Sequence, residues 1–217
     1  MRNVASDSPP SRSQPSSSST SDPILRKLEP AELADWLEAR LDRVSERWLS
    51  DVHARYDVHG GSVNGLLEEF LQSLVAFLPA VLGPYRVQVE PLWYRAAELF
   101  GAIAARRGLA AGEVIEEFQV LREAVIRILY QDPPLQGRVR LSLRDVLRLN
   151  RAIDDGVTHA SVGHTDALFF SLFEGSGIPD TPPTEEMVDE VHAQLEELRD
   201  GLREILGRIP GEAWSRR

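Results

Sequence analysis

Histidine is the side chain best suited to hold a metal or move a proton near neutral pH, and the chain carries five. His159 and His164 stand five residues apart, whereas a helical metal pair needs a spacing of four to share one face. His53 precedes the turn-forming stretch DVHGG, residues 57–61, and His59 lies in it, so the two would converge only by accident. His164 falls on the apolar line Val146, Leu149, Ile153, Val157, Ala160, His164, Leu168, so a core histidine held by a hydrogen bond is the plain expectation. HGGS at 59–62 has the look of an oxyanion loop, but no Gly-x-Ser-x-Gly nucleophile turn accompanies it. Phosphate loops, dinucleotide fingerprints and calcium loops are absent from the sequence. Acidic pairs such as Glu68-Glu69 and Glu116-Glu117 are expected to be solvated helix faces, not acid–base machinery. With no cysteine in the chain, disulfides, zinc–thiolate sites and thiol nucleophiles are excluded. No catalytic residue, metal ligand or cofactor is assigned.

A denser cluster lies in GEVIEEFQVLREAVIRILY, residues 112–130. Val114, Phe118, Leu121, Val125 and Ile128/Leu129 step by three or four, which makes one face of a helix apolar. Glu113, Glu116, Glu123 and Arg127 occupy the other face. At the centre, Phe118 and Leu121 point to the core while Glu117 and Arg122 flank them. A guanidinium at the edge of a buried face needs a partner, because an unpaired charge there is costly. The helix expected over 142–173 offers Asp154 and Asp155. The cluster therefore predicts a structural lock, Arg122 to Asp154 or to Asp155, between two helices. Aromatics gather at Trp93, Tyr94 and Phe100 and again at Phe169, Phe170 and Phe173; at helical spacing these are expected in the core. The alternative is a small-molecule pocket involving Trp93, Tyr94 and His164.

The elements that carry these residues are all helical. Residues 1–23 are rich in Ser and Pro and are expected to be a disordered tail. From Pro30, the period Leu33, Leu37, Leu41, Val44, Trp48, Val52 predicts one helix. A second runs from about Ser62 to Leu82, stopped by Gly83-Pro84, and a third starts at Pro91 and ends at a Gly108 cap. The 112–130 helix ends at Asp132-Pro133-Pro134. The last helix of the body starts near Ser142, with Asp145 in capping position, and continues to Phe173, with Gly156 and Gly163 as bends or close-packing points. RVRLSL at 138–143 is the one weak strand signal. The body, 24–175, is thus an all-α bundle of about five helices. A linker over 176–183 leads to a helix over 184–208 and a tail over 209–217.

That last helix differs in character. Val188, Val191, Leu195, Leu198, Leu202 and Ile205 form a heptad seam, and Thr184 is placed as its N-cap. The seam must be buried, either on a second copy or on the chain's own bundle; a spacing nearer 3.5 than 3.6 favours a homodimer contact.

Net charge is −10, with 42% hydrophobic and 27% charged residues, and no basic stripe of a nucleic-acid binder is present. The longest apolar-looking run, LLEEFLQSLVAFLPAVL, is too short and too charged to span a bilayer, and the N-terminus lacks a signal-peptide core. A cytoplasmic location is the expectation.

YRAAELFGAIAARRGLAAGEVIEEFQVLREAVIRIL resembles the N-terminal domain of the RsbRD-type RsbT co-antagonists, and LNRAIDDGVTHASVGHTDALF is similar to that family's closing helix. The resemblance spans roughly residues 30–175 and rests on Arg107 and Gly108, then Glu117, Phe118, Leu121 and Arg122, then Ala152, Ile153 and Asp154. Phe118 stands where the family usually has tyrosine, and the family's histidine before the glycine turn has no counterpart. The resemblance implies a non-enzymatic helical input domain for stress or signal transduction, with protein partners such as stress-signalling kinases or antagonist proteins. After residue 175 only the seam helix and GRIPGEAWSRR remain, so a stand-alone domain acting in trans is expected. The alternative is a ligand- or haem-binding globin-like sensor, for which His164 is the candidate ligand.

Overall fold

The computed structural model describes residues 26–55, 61–134, 139–173 and 185–208. The expected tails over 1–23 and 209–217, the 176–183 linker, most of the 57–61 turn and the Thr184 cap lie outside the described residues. Among the described residues the chain is an all-α bundle of seven helices: α1 (Pro30–Glu38), α2 (Leu41–Arg55), α3 (Gly61–Leu82), α4 (Arg86–Arg106), α5 (Ala111–Gln131), α6 (Leu143–Phe173) and α7 (Glu185–Gly207). The weak strand signal survives as a two-residue parallel pairing, Arg26 and Lys27 (β1) against Val139 and Arg140 (β2).

Two helix boundaries differ from the expectation. The single helix from Pro30 breaks at Ala39–Arg40 into α1 and α2, although the apolar period runs straight across. Arg40 folds back to donate to the Trp36 carbonyl (2.9 Å) and to Asp132 beyond α5 (2.7 Å), so the break swings α1 over the end of α5. α4 starts a turn before Pro91 and carries that proline inside. The cost is the bond Pro91 cannot donate to the Val87 carbonyl, and both residues are exposed, where water can serve it.

α4, α5 and α6 make the central layer. α4 and α6 run side by side in the same direction, Trp93 meeting Ala152 and Gly156, and Gly101 meeting Ala160. Their backbones nearly touch. A Cβ added to Gly101 would stand 1.8 Å from the Ala160 carbonyl oxygen, and one added to Gly163 would stand 1.9 Å from that of Glu98. Gly156 is equally constrained, with Phe118 and Trp93 ring carbons 2.7 Å from its missing Cβ. The glycines serve close packing, and α6 continues unbroken through both. α5 returns antiparallel to both, packed mainly on α6, through a tight turn. There Gly108 takes φ +78°, and the Leu109 N–H bonds the Ala104 carbonyl (3.0 Å) while Gly108 bonds Ala105 (3.0 Å), a complete glycine-terminated helix end.

The core is aromatic at its centre. Phe100 packs on Trp48, Phe70 and Phe118 with ring centroids 6.0, 5.6 and 5.4 Å away, and Trp93 closes on Phe118 at 6.4 Å. Among the described residues, each indole N–H is spent on a backbone carbonyl of another element: Trp36 on Asp132 (2.8 Å), Trp48 on Glu117 (2.8 Å), Trp93 on Ala152 (3.0 Å). A large apolar ring is thereby buried without an orphaned donor.

Candidate functional site

The residues singled out around 107–122 do converge. Phe118 and Leu121 are fully buried, as their phase on α5 requires. Arg107 caps the end of α4 and turns inward, its Nη1 3.4 Å from Glu117 Oε1 on α5; the two side chains are 9% and 1% exposed. Glu117 was expected on a solvated face with Glu116, and the structure corrects this: it sits on the buried side of α5. Burial raises its pKa from 4.5 to about 6, partly offset by Arg107. Its other oxygen, Oε2, has no partner among the described residues. A long contact on one oxygen and none on the other leaves this carboxylate under-compensated, which is why desolvation wins.

Arg122 pairs with Asp154 across α5 and α6, and Asp155 is engaged instead by Arg86 (3.2 Å). Arg122 is 22% exposed and Asp154 63%, so the predicted contact is present but wet. Beside the glycine turn, the His164 ring nitrogen Nε2 lies 2.7 Å from the Leu109 carbonyl oxygen and donates to it, which ties α6 to the α4–α5 connection. His164 is thus the satisfied core histidine that its apolar line suggests.

The pocket considered around Trp93, Tyr94 and His164 does not assemble. Trp93 is buried in the core. Tyr94 instead lies near the surface, its ring stacked on His159 at 4.0 Å, and His164 is committed to Leu109. His159 donates from Nδ1 to Glu98 Oε1 at 2.7 Å, completing a Glu98–His159–Tyr94 group that periodicity could not single out. Among the described residues, no cluster of three or more His, Asp or Glu side chains is placed to hold a metal. Likewise, no helix there is long and apolar enough to cross a membrane.

The seam of α7, expected to favour a second copy, meets the chain's own α3 and α4. Val191, Leu195 and Leu198 are buried there, and Val188, Leu202 and Ile205 pack at the margin. Polar contacts rim it: Arg199 and His192 to Glu69 (3.1 and 3.0 Å), and Arg95 to Glu197 (3.2 Å).

The opposite correction applies to the end of α6. Phe169, Phe170 and Phe173 were expected in the core, yet they are 56%, 64% and 75% exposed, with Leu172 at 67%. The cause is length. Phe170 lies seven residues beyond Gly163 on the stripe that faces α4, but α4 has already ended at Arg106. Phe170 thus continues the packing stripe past the helix that would cover it, and Phe169, Leu172 and Phe173 are exposed on the neighbouring faces of the same helix end. No family model matches the chain, and neither a curated protein nor a solved structure does.

Proposed function

We propose that the protein is a non-enzymatic regulatory domain of the RsbRD-like kind, working through protein–protein contact in signal transduction. The exposed apolar end of α6 carries this reading. Phe169, Phe170, Leu172 and Phe173 are all more than half exposed, with Phe169 and Phe173 packed on each other, and such an apolar helix end is the type of surface that marks a contact site. The resembling residues support it from the other side, because each is spent on fixing one helix to another: Arg107 on Glu117, Arg122 on Asp154, Phe118 in the aromatic centre. Such a body is a rigid frame that presents a surface. The haem alternative has no comparable support, since His164 Nε2 is already engaged by Leu109.

The test is a stress-response reporter in the native host, comparing the parent with Phe170→Asp/Phe173→Asp. These side chains are largely exposed, so the variant keeps its helicity and melting temperature while the regulatory output is lost. Normal output from a stably folded variant would overturn the proposal.

A further inference from the structure

We propose that the exposed side of α6 from Val162 to Phe173 receives an amphipathic helix of another protein, one that brings Lys or Arg to an otherwise apolar seam. This rests on the contact-surface reading above and names the partner's chemistry. Val162, Asp166, Phe169 and Phe173 follow one another at intervals of four, three and four, the spacing of a line that a second helix can cover. All four are exposed, the apolar three by 45%, 56% and 75%. Phe169 and Phe173 pack on each other with centroids 4.5 Å apart, so the line ends in an aromatic ridge, and Phe170 widens it on one flank. The chain's own heptad helix does not cover it, because the α7 seam is filled by α3 and α4.

Asp166 decides the partner. It stands within the line and has no ion-pair partner among the described residues. A purely apolar cover would take that carboxylate out of water unpaired, a cost that a facing ammonium or guanidinium offsets. The surrounding charge has the same sign. Between Arg151 and Arg199 the sequence holds no Lys or Arg, and Glu174 directly follows the last residue of α6. The C-terminal end of a helix adds a negative potential of its own. An acidic protein, an anionic membrane surface or a second copy of this face would set negative charge against negative charge. A basic amphipathic helix meets the carboxylates with the opposite charge while its apolar side covers the phenylalanines.

The test titrates the full chain, by fluorescence anisotropy, into a labelled synthetic helical peptide of Leu and Lys, with a Leu/Glu peptide of the same pattern as reference. The parent should bind the Leu/Lys peptide saturably and more tightly than the reference by about tenfold or more. Phe170→Asp/Phe173→Asp adds two negative charges, so loose charge attraction would tighten in this variant, whereas seam binding should weaken by about tenfold or more. Asp166→Asn should narrow the preference for Lys over Glu and flatten its dependence on salt. Hydrogen exchange of the parent complex should gain protection over 162–173. Equal binding of the two peptides, tighter binding by the double variant, or protection gained on α7 instead would overturn the inference. If the Leu/Lys peptide fails to bind the parent while the double variant still loses output in cells, the surface meets a partner of other chemistry and only the functional proposal stands. If the peptide binds as expected and output is kept, the inference stands and the functional reading falls.

Discussion

Among the helices packed on α4, α6 and α7 are held by contacts built on different principles. Against α6 the helices meet at the backbone. Gly101 and Gly163 each sit where a single methyl would collide with a carbonyl, and Trp93 reaches across to bond Ala152. Against α7 the contact is made by side chains, a narrow seam of Val191, Leu195 and Leu198 with half-exposed ion pairs at its rim. Gly201 of α7 faces only the flexible tip of Leu92, 3.2 Å from where a Cβ would be. The first contact cannot open without dismantling the core. The second rests on side chains, so α7 is expected to detach first, and α4 divides the molecule into a frame and a helix docked on it.

The strongest challenge to that division is Gly101→Val. Its first side-chain carbon alone would lie inside the Ala160 carbonyl, so α4 and α6 must separate along their length. Overpacking of this kind costs about 3 kcal/mol or more, enough to lower the melting temperature by about 6–12 °C in a chain of this size. A variant that melts with the parent would show that the two helices are not held at backbone contact.

The α7 contact should fail differently. Leu195→Glu with Leu198→Glu removes two buried side chains, each contributing about 1.5–3 kcal/mol of docking. Amides across 185–208 should then lose hydrogen-exchange protection while those of α4, α5 and α6 retain it. Loss of protection throughout would mean that α7 belongs to the frame.

Glu117 tests the frame by pH. Its folded pKa, about 6, lies above the ordinary 4.5, so the folded state binds the proton more tightly than the unfolded chain does. Stability from this group is fully present below pH 4.5 and is lost as pH rises through 6, by about 2 kcal/mol. Arg107 and Glu113 are the charged groups that act on it, in opposite directions. Thermal melts of the parent and Glu117→Gln over pH 4–8 should diverge through that window, with the variant lacking this part of the slope. Parallel curves would place the carboxylate in water.

What could be read in advance divides along the same physical line. Caps and periods are local: Ser142 with Asp145 (2.8 Å), the Gly108 turn and the phase of Phe118 were all legible because neighbours in sequence decide them. Gly156 and Gly163 could be named as bends or close-packing points because a glycine inside a long helix needs a reason, and of the two the structure has close packing. The α1–α2 break was hidden, since it is imposed by Asp132 from another element and leaves the apolar period intact. Glu117 and Phe170 went opposite ways for one reason. Whether a helix face is covered depends on where neighbouring helices begin and end, and no periodicity within the helix records that. The α7 seam likewise had the right residues, but its spacing could not say which surface it would meet.

The smallest expected effect belongs to the contact the sequence pointed to most directly. Arg122 and Asp154 pair across α5 and α6, inside the frame, and a buried pair there would cost about 3–5 kcal/mol to break. The geometry argues for much less. Asp154 is mostly exposed, so its charge is already solvated and screened, and solvent-exposed pairs are worth about 0.2–1 kcal/mol. Arg122 also holds a buried Nε without a partner among the described residues, a cost that truncation would relieve. A double-mutant cycle with Arg122→Ala and Asp154→Ala should therefore give a coupling below about 1 kcal/mol, reduced further in molar salt, where screening reaches a few ångströms. A coupling several times larger, insensitive to salt, would make the polar lock and not the glycine contact the element that holds α6 in place.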